Sequence, residues 1–172
     1  MAYTYSKIAT YTVGSGGIST INFTNIPQTY TDLKLVISAR NSANNDGFYL
    51  TFNGSSTGYS YKEIYASSST IASDGSTSSA YLVNYGGMNA SIATASAFAS
   101  AEIYIPNYTS SNYKSVSADG FDEANTTVNY MYISANLWSN TSPITSITLT
   151  AGSSGTAVQY SSAHLYGIKA EV

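Results

Sequence analysis

Apolar and polar residues alternate along most of this chain with a period of two, the spacing of a half-buried β-strand. Leu33, Leu35, Ile37 and Ala39 fall on one face of such a run, with Lys34, Ser38 and Arg40 on the other. Phe48, Leu50 and Phe52 repeat the pattern, and Ala101, Ile103 and Ile105 do so against Glu102 and Tyr104. In 130–138, Met131, Ile133, Ala135 and Leu137 oppose Tyr130, Tyr132, Ser134, Asn136 and Trp138. One side of each run is expected to be core and the other a contact surface or a second packed layer. Shorter candidates at 7–13, 18–23, 59–65, 113–118, 144–150 and 162–169 bring the expectation to about ten strands.

Turn chemistry separates these runs. Gly14 to Gly17, Asn44 to Gly47, Asn53-Gly54 and Gly152 to Gly155 supply residues that accept positive φ, and Asn53-Gly54 reads as a hairpin turn. Pro27, Pro106 and Pro143 lie at run edges, where a missing N–H leaves a ladder intact. No segment carries a sustained helical period with caps. Met88 to Phe98 is Ala-rich, but Gly86-Gly87 and many hydroxyl residues mark it as a crossing loop or irregular edge. Ala66 to Ala80 is Ser-rich without periodicity, so a long exposed loop is expected there. Many short antiparallel strands in one unbroken composition predict an all-β fold: a single-domain antiparallel β-sandwich, jelly-roll or Greek-key in type, over residues 1–172.

Composition then narrows the function classes. The chain holds 17 Tyr, a single His, no Cys and only 9% charged residues. Acid-base and metal chemistry need His, Cys or clustered carboxylates, whereas Tyr offers broad contact area with a polar tip. Contact is therefore favoured over catalysis, and no enzyme activity and no cofactor are expected. The formal charge is −3 and the basic residues are scattered, which disfavours nucleic acid, since phosphate affinity needs several Lys or Arg on one face. No apolar run approaches the ~20 residues of a membrane span. Residues 1–7 lack the basic and apolar regions of a secretion signal, so the expectation is a protein made and kept in a cytoplasm. A Ser/Thr/Asn/Tyr-rich, lysine-poor composition is more usual outside cells. A particle assembled in the cytoplasm and released by lysis reconciles the two; a chain whose leader has been removed is the alternative.

Individual motifs add little chemistry. Gly54-Ser55-Ser56-Thr57-Gly58 matches the GxSxG pattern of a nucleophile elbow, but the elbow needs a helix after its turn, and Tyr59 to Tyr65 alternates like a strand. His164 is the sole imidazole, so a multi-histidine metal site would need several copies on a symmetry axis; an ordinary strand or interface histidine is the simpler reading. Asp119 to Asn125 is the densest acidic stretch, yet it lacks the ligand spacing of an EF-hand, and turn carboxylates in solvent are expected there. The tyrosine-rich faces remain. Tyr59, Tyr61 and Tyr65 share one strand face, and Tyr130, Tyr132 and Trp138 share another. Either they pack a second layer of the sandwich, or they meet a protein or sugar, since rings stack on sugar faces and are enriched at interface hot spots.

A series of ordered words points further. Phe23 to Leu33 (FTNIPQTYTDL), Ser38-Ala39-Arg40, Phe52-Asn53-Gly54 and Tyr59-Ser60-Tyr61 come first. Leu137 to Thr141, Ile144 to Ile147 and Tyr160 to Lys169 (YSSAHLYGIK) follow. Between about residues 18 and 169 the chain resembles a family of tailed-phage virion proteins from marine and cyanobacterial phages. The resemblance implies a structural protein of capsid-decoration or tail-fibre type, with no catalytic residues to carry over. A compact domain with no heptad or shaft-like run fits a capsid decoration (cement) protein. Such a protein would be a homotrimer binding the major capsid protein on the outer surface of the virion and stabilising the head. The alternative is a receptor- or carbohydrate-binding domain of a short tail or head fibre, with host surface glycans as partner.

Overall fold

The period-two runs become twelve strands in two antiparallel sheets. The structure, a computed structural model, describes residues 3–44, 47–123, 125 and 129–170. The strands are β1 (Tyr3–Thr12), β2 (Thr20–Phe23), β3 (Asp32–Ala39), β4 (Gly47–Phe52), β5 (Tyr59–Ser67), β6 (Thr70–Ser79), β7 (Leu82–Tyr85), β8 (Ala99–Ile105), β9 (Lys114–Phe121), β10 (Tyr130–Trp138), β11 (Ile147–Ala151) and β12 (Ser162–Ala170). Eight form one sheet in the order β1-β12-β3-β8-β9-β10-β5-β6, and four form the other as β2-β11-β4-β7. The first four strands alternate between the sheets, and β11 and β12 return antiparallel beside them. This is the all-β sandwich read from the sequence. The one helical element among the described residues is a 3₁₀ turn, Gly152–Ser154.

The core fills the space between the sheets. Leu33, Leu35, Ile37 and Ala39 of β3 and Ala101, Ile103 and Ile105 of β8 face Ile21, Phe48, Leu50, Phe52, Ile147 and Leu149 of the smaller sheet, all essentially without solvent contact. Burying each large aliphatic side chain contributes about 1.5–3 kcal/mol. At one point the sheets meet backbone to backbone: a Cβ on Gly120 of β9 would lie 2.6 Å from the Tyr85 carbonyl oxygen and 2.7 Å from the Gly86 carbonyl carbon. Only glycine allows β7 to end so close to β9. Gly86 itself sits at φ 72°, a left-handed conformation that suits it.

Three loop expectations are resolved, two of them as corrections. Ala66 to Ala80 is not a loop: after a turn at 68–69 the chain returns as β6, the edge of the larger sheet, and most of its side chains are exposed. A solvated edge strand has no buried face, so Ser and Thr fill it and the alternation vanishes. Asn53-Gly54 turns the chain with φ of 52° and 69°, but the strands it joins, β4 and β5, lie in different sheets and do not pair as a hairpin. The Asn53 side chain braces this crossing, accepting from the Thr145 and Ser146 amides and donating to the Pro143 carbonyl. The 88–98 segment is the irregular crossing loop expected. The Arg40 guanidinium holds it by donating to the carbonyls of Ser91, Ala93, Thr94 and Ala97 at 2.8–3.2 Å. The turn at 44–47 lies in part outside the described residues.

Candidate functional surfaces

The larger sheet reverses its polarity partway across. Register places Leu165, Leu35, Ile103, Ala118, Ser134, Glu63 and Asp74 in one row over seven strands of its inner face. The row is apolar from β12 to β9 and polar from β10 to β6. Its counterpart on the outer face reads His164, Val36, Glu102, Asp119, Ile133, Ile64 and Ser73, with two isoleucines where the inner row has Ser134 and Glu63. The smaller sheet is the cause: it has four strands to cover eight, and its edge strand β7 packs over β9, β10 and β5, leaving β6 beyond it.

Two surfaces result. On the outer face Ile64, Ile71, Phe121, Met131 and Ile133 are all exposed, Ile133 at 64%. They are neighbours by register: Phe121 pairs with Met131, Met131 with Ala66, Ala66 with Ile71, and Ile133 with Ile64. Shallow depressions of about 310 and 620 Å³ flank Phe121. Lys34 and Glu102, 2.7 Å apart, border the patch on its β3–β8 side. The expectation for β10 is thereby inverted. Met131 and Ile133 face solvent, while Tyr132, Ser134, Asn136 and Trp138 point inward. Ser134 and Asn136 are accommodated by hydrogen bonding, Asn136 Nδ2 donating to Ser134 Oγ at 2.9 Å.

On the inner face beyond the smaller sheet lies a groove of about 700 Å³. Tyr65, Tyr130 and Tyr132 line its floor and Tyr85 of β7 one wall, with Glu63, Asp74 and the hydroxyls of Ser67, Ser68 and Thr70 between and around them. Tyr132 stacks on Tyr65 at 5.4 Å and on Tyr130 at 5.6 Å, and Tyr85 tilts against it at 5.6 Å. Burial first, then the nearby phenols and Glu63, pushes the Tyr85 hydroxyl far above its ordinary value. Glu63 and Asp74 are register partners on β5 and β6, so two carboxylates line the groove, Asp74 exposed and Glu63 buried, and among the described residues no Lys or Arg lines it.

The six aromatic residues singled out from the sequence therefore divide. Tyr65, Tyr130 and Tyr132 converge on the groove, and Tyr61, half-buried, lies near enough for Asp74 and Glu63 to raise its phenol, although burial raises it more. Tyr59 and Trp138 are corrections: each is 1% exposed, closed to any partner, and packed with Phe52 in an aromatic trio. Tyr59 Oη also accepts from the Phe52 amide at 2.8 Å, tying the 53–58 crossing to the core. Periodicity could not separate the two groups, because both lie on the same inward face and differ only in whether the smaller sheet reaches them. Tyr85 was missed because β7 is four residues long and follows a segment read as loop.

The remaining motifs have structural places. Ser56 sits in a turn followed by β5, without the helix an elbow requires. His164 lies on the outer face of β12 within 3.1 Å of Thr10 Oγ1. Asp122 is buried and accepts from the Tyr130 amide, a departure from the solvated carboxylate expected there, whereas Glu123 is exposed as expected and accepts from the Asn125 amide and Asn129 Nδ2. Among the described residues no three His, Asp or Glu side chains group as metal ligands, and no helix is long and apolar enough to cross a membrane. Comparison with protein-family models, with curated proteins and with solved structures returned no match.

Proposed function

We propose that this protein is a structural component of a phage virion, a decoration protein that docks on the outer surface of the major capsid protein lattice. The observation that carries the docking is the exposed apolar patch of Ile64, Ile71, Met131, Ile133 and Phe121 on the outer face of the larger sheet. Contiguous apolar surface of this kind, rimmed by charge, is the usual mark of a protein contact. The resemblance of the ordered sequence words supplies the virion. Binding that spans neighbouring capsid subunits would favour the mature lattice by mass action, and a homotrimer would multiply weak patches into avidity. Quantitative mass spectrometry of purified particles tests the assignment: copies in fixed high proportion to the capsid protein are expected, and a handful per particle would overturn it.

A second reading, the receptor- or carbohydrate-binding domain of a short fibre, is favoured by the open tyrosine groove on the opposite face of the same sheet. It predicts saturable glycan binding by the isolated protein. The two surfaces lie on different faces, so one can serve the particle and the other a host glycan.

A further inference from the structure

We infer that the groove over β5, β6 and β10 is a subsite for an uncharged glycan, held through a hydroxyl group by Asp74 and through a sugar face by the tyrosine floor. This rests on the carbohydrate reading above and goes further in fixing the ligand class and the residue roles.

The first argument is charge. Asp74 is exposed at the groove, and its register partner Glu63 lies buried in the lining beside it, so the site is acidic. With no Lys or Arg in the lining, the groove repels sulfated, sialylated and uronic glycans. A sugar hydroxyl suits Asp74: its O–H donates to a carboxylate oxygen in a charge-assisted bond without adding negative charge.

The second is the aromatic floor. Tyr65 and Tyr130 flank Tyr132 with interplanar angles of 28° and 18°, so each stacks on the central ring. Tyr132 is itself buried, which leaves Tyr65 and Tyr130 as the half-exposed rings that a ligand meets. Stacked phenols give a rigid apolar surface at low entropic cost, matched to the C–H face of a pyranose.

The third is the rim. Ser67, Ser68 and Thr70 bring hydroxyls that both donate and accept, and only a ligand that does both can match them. An alkylammonium, which offers charge or donors alone, cannot accept from them. The groove volume of about 700 Å³ lies within the range of small-ligand sites, about 300–1,000 Å³, and suits a few sugar units.

The test is calorimetric titration of the full chain with neutral oligosaccharides of the gluco-, manno-, galacto- and N-acetylglucosamine series. Oligogalacturonate, tetramethylammonium and Ca²⁺ serve as separate probes. At least one neutral series is expected to bind with a Kd between about 10 μM and 5 mM, the span of weak to moderate affinities. Tyr65→Ala and Tyr130→Ala should each weaken it about tenfold or more, and Asp74→Asn, at an exposed position, should weaken it without lowering the thermal melt. Ile133→Lys on the opposite face should leave it unchanged. No binding of any neutral series, binding that survives Tyr65→Ala and Tyr130→Ala in folded protein, or response to Ca²⁺ or tetramethylammonium alone would overturn the inference. Tyrosine-dependent binding of the acidic oligomer alone would overturn the ligand class while sparing the carbohydrate reading.

Discussion

Ile64 of β5 and Ile133 of β10 are register partners on adjacent strands, and both project into solvent from the outer face of the larger sheet, 61% and 64% exposed. Their positions on the inner face are taken by Glu63, Ser134 and the tyrosines. This outward pair lies at the centre of the apolar patch on which the proposed docking rests.

The first prediction follows from that pair. Ile133→Lys and Ile64→Lys remove no core contact, so each should change stability by no more than about 0.5 kcal/mol. The double variant should lower association with the docking partner by about a hundredfold or more, because each isoleucine would otherwise bury its side chain there for about 1.5–3 kcal/mol. Cosedimentation with particles stripped of the protein, paired with urea titration, measures both.

Trp138 and Tyr59 should behave in the opposite way. Trp138→Ala opens a cavity beside Phe52 and should cost about 3–5 kcal/mol. Tyr59→Phe leaves the buried Phe52 amide without its acceptor and should cost about 1–3 kcal/mol. Denaturant midpoints at constant m-value check both, and glycan or particle binding by refolded Tyr59→Phe should be unaltered.

Arg40 is the staple of the 88–98 crossing. Arg40→Ala should release the four carbonyls it binds and speed amide exchange at Ser91, Ala93 and Ala97, whose own hydrogen bonds lie in or beside that loop. Arg40→Lys should not restore protection, because a single ammonium cannot reproduce the planar fork of donors. Exchange mass spectrometry resolves the segment.

Stability should fall steeply in alkali. Burial raises the phenols of Tyr59, Tyr61, Tyr81, Tyr85 and Tyr108 above the ordinary value of 10.0. Their stabilising contribution is complete below pH 10, where folded and unfolded states are both protonated. It is lost as pH rises past the unfolded value, by up to about 1.4 kcal/mol per pH unit for each phenol that stays protonated only in the fold. Lys114 acts in the other direction. Its ammonium, buried among the carbonyls of Ser110, Asn112 and Asn140, is lowered by desolvation, so its penalty fades as pH approaches 10.5. The tyrosines outnumber it. Urea midpoints between pH 8 and 12, with phenolate absorbance followed in parallel, should show the midpoint falling before the native phenols ionise.

Alternation made β3, β4 and β8 legible, faces included, because the opposing sheet covers one side of each and solvent the other. In β10 the same reasoning assigned the faces in reverse. Met131 and Ile133 have the apolarity of a core, and only the span of the opposing sheet decides that Tyr132 and Trp138 point inward. That span is a tertiary quantity, set by four strands against eight. The groove was half legible: Tyr65, Tyr130 and Tyr132 were marked by composition and period, but Glu63, Asp74 and Tyr85 join them only through the pairing of β5 with β6 and the reach of β7. β6 itself, exposed along most of its length, carries no pattern that a sequence could display.

The proposed docking face on a virion lattice is the outer face of β5, β9 and β10. A cryo-EM map of the assembled particle tests it most directly. The account predicts density for this fold at many symmetry-related positions on the capsid, with Ile64, Met131, Ile133 and Phe121 turned against the shell and the tyrosine groove open to solvent. Density confined to a fibre or collar, or capsid-bound copies with that isoleucine face in solvent, would contradict it.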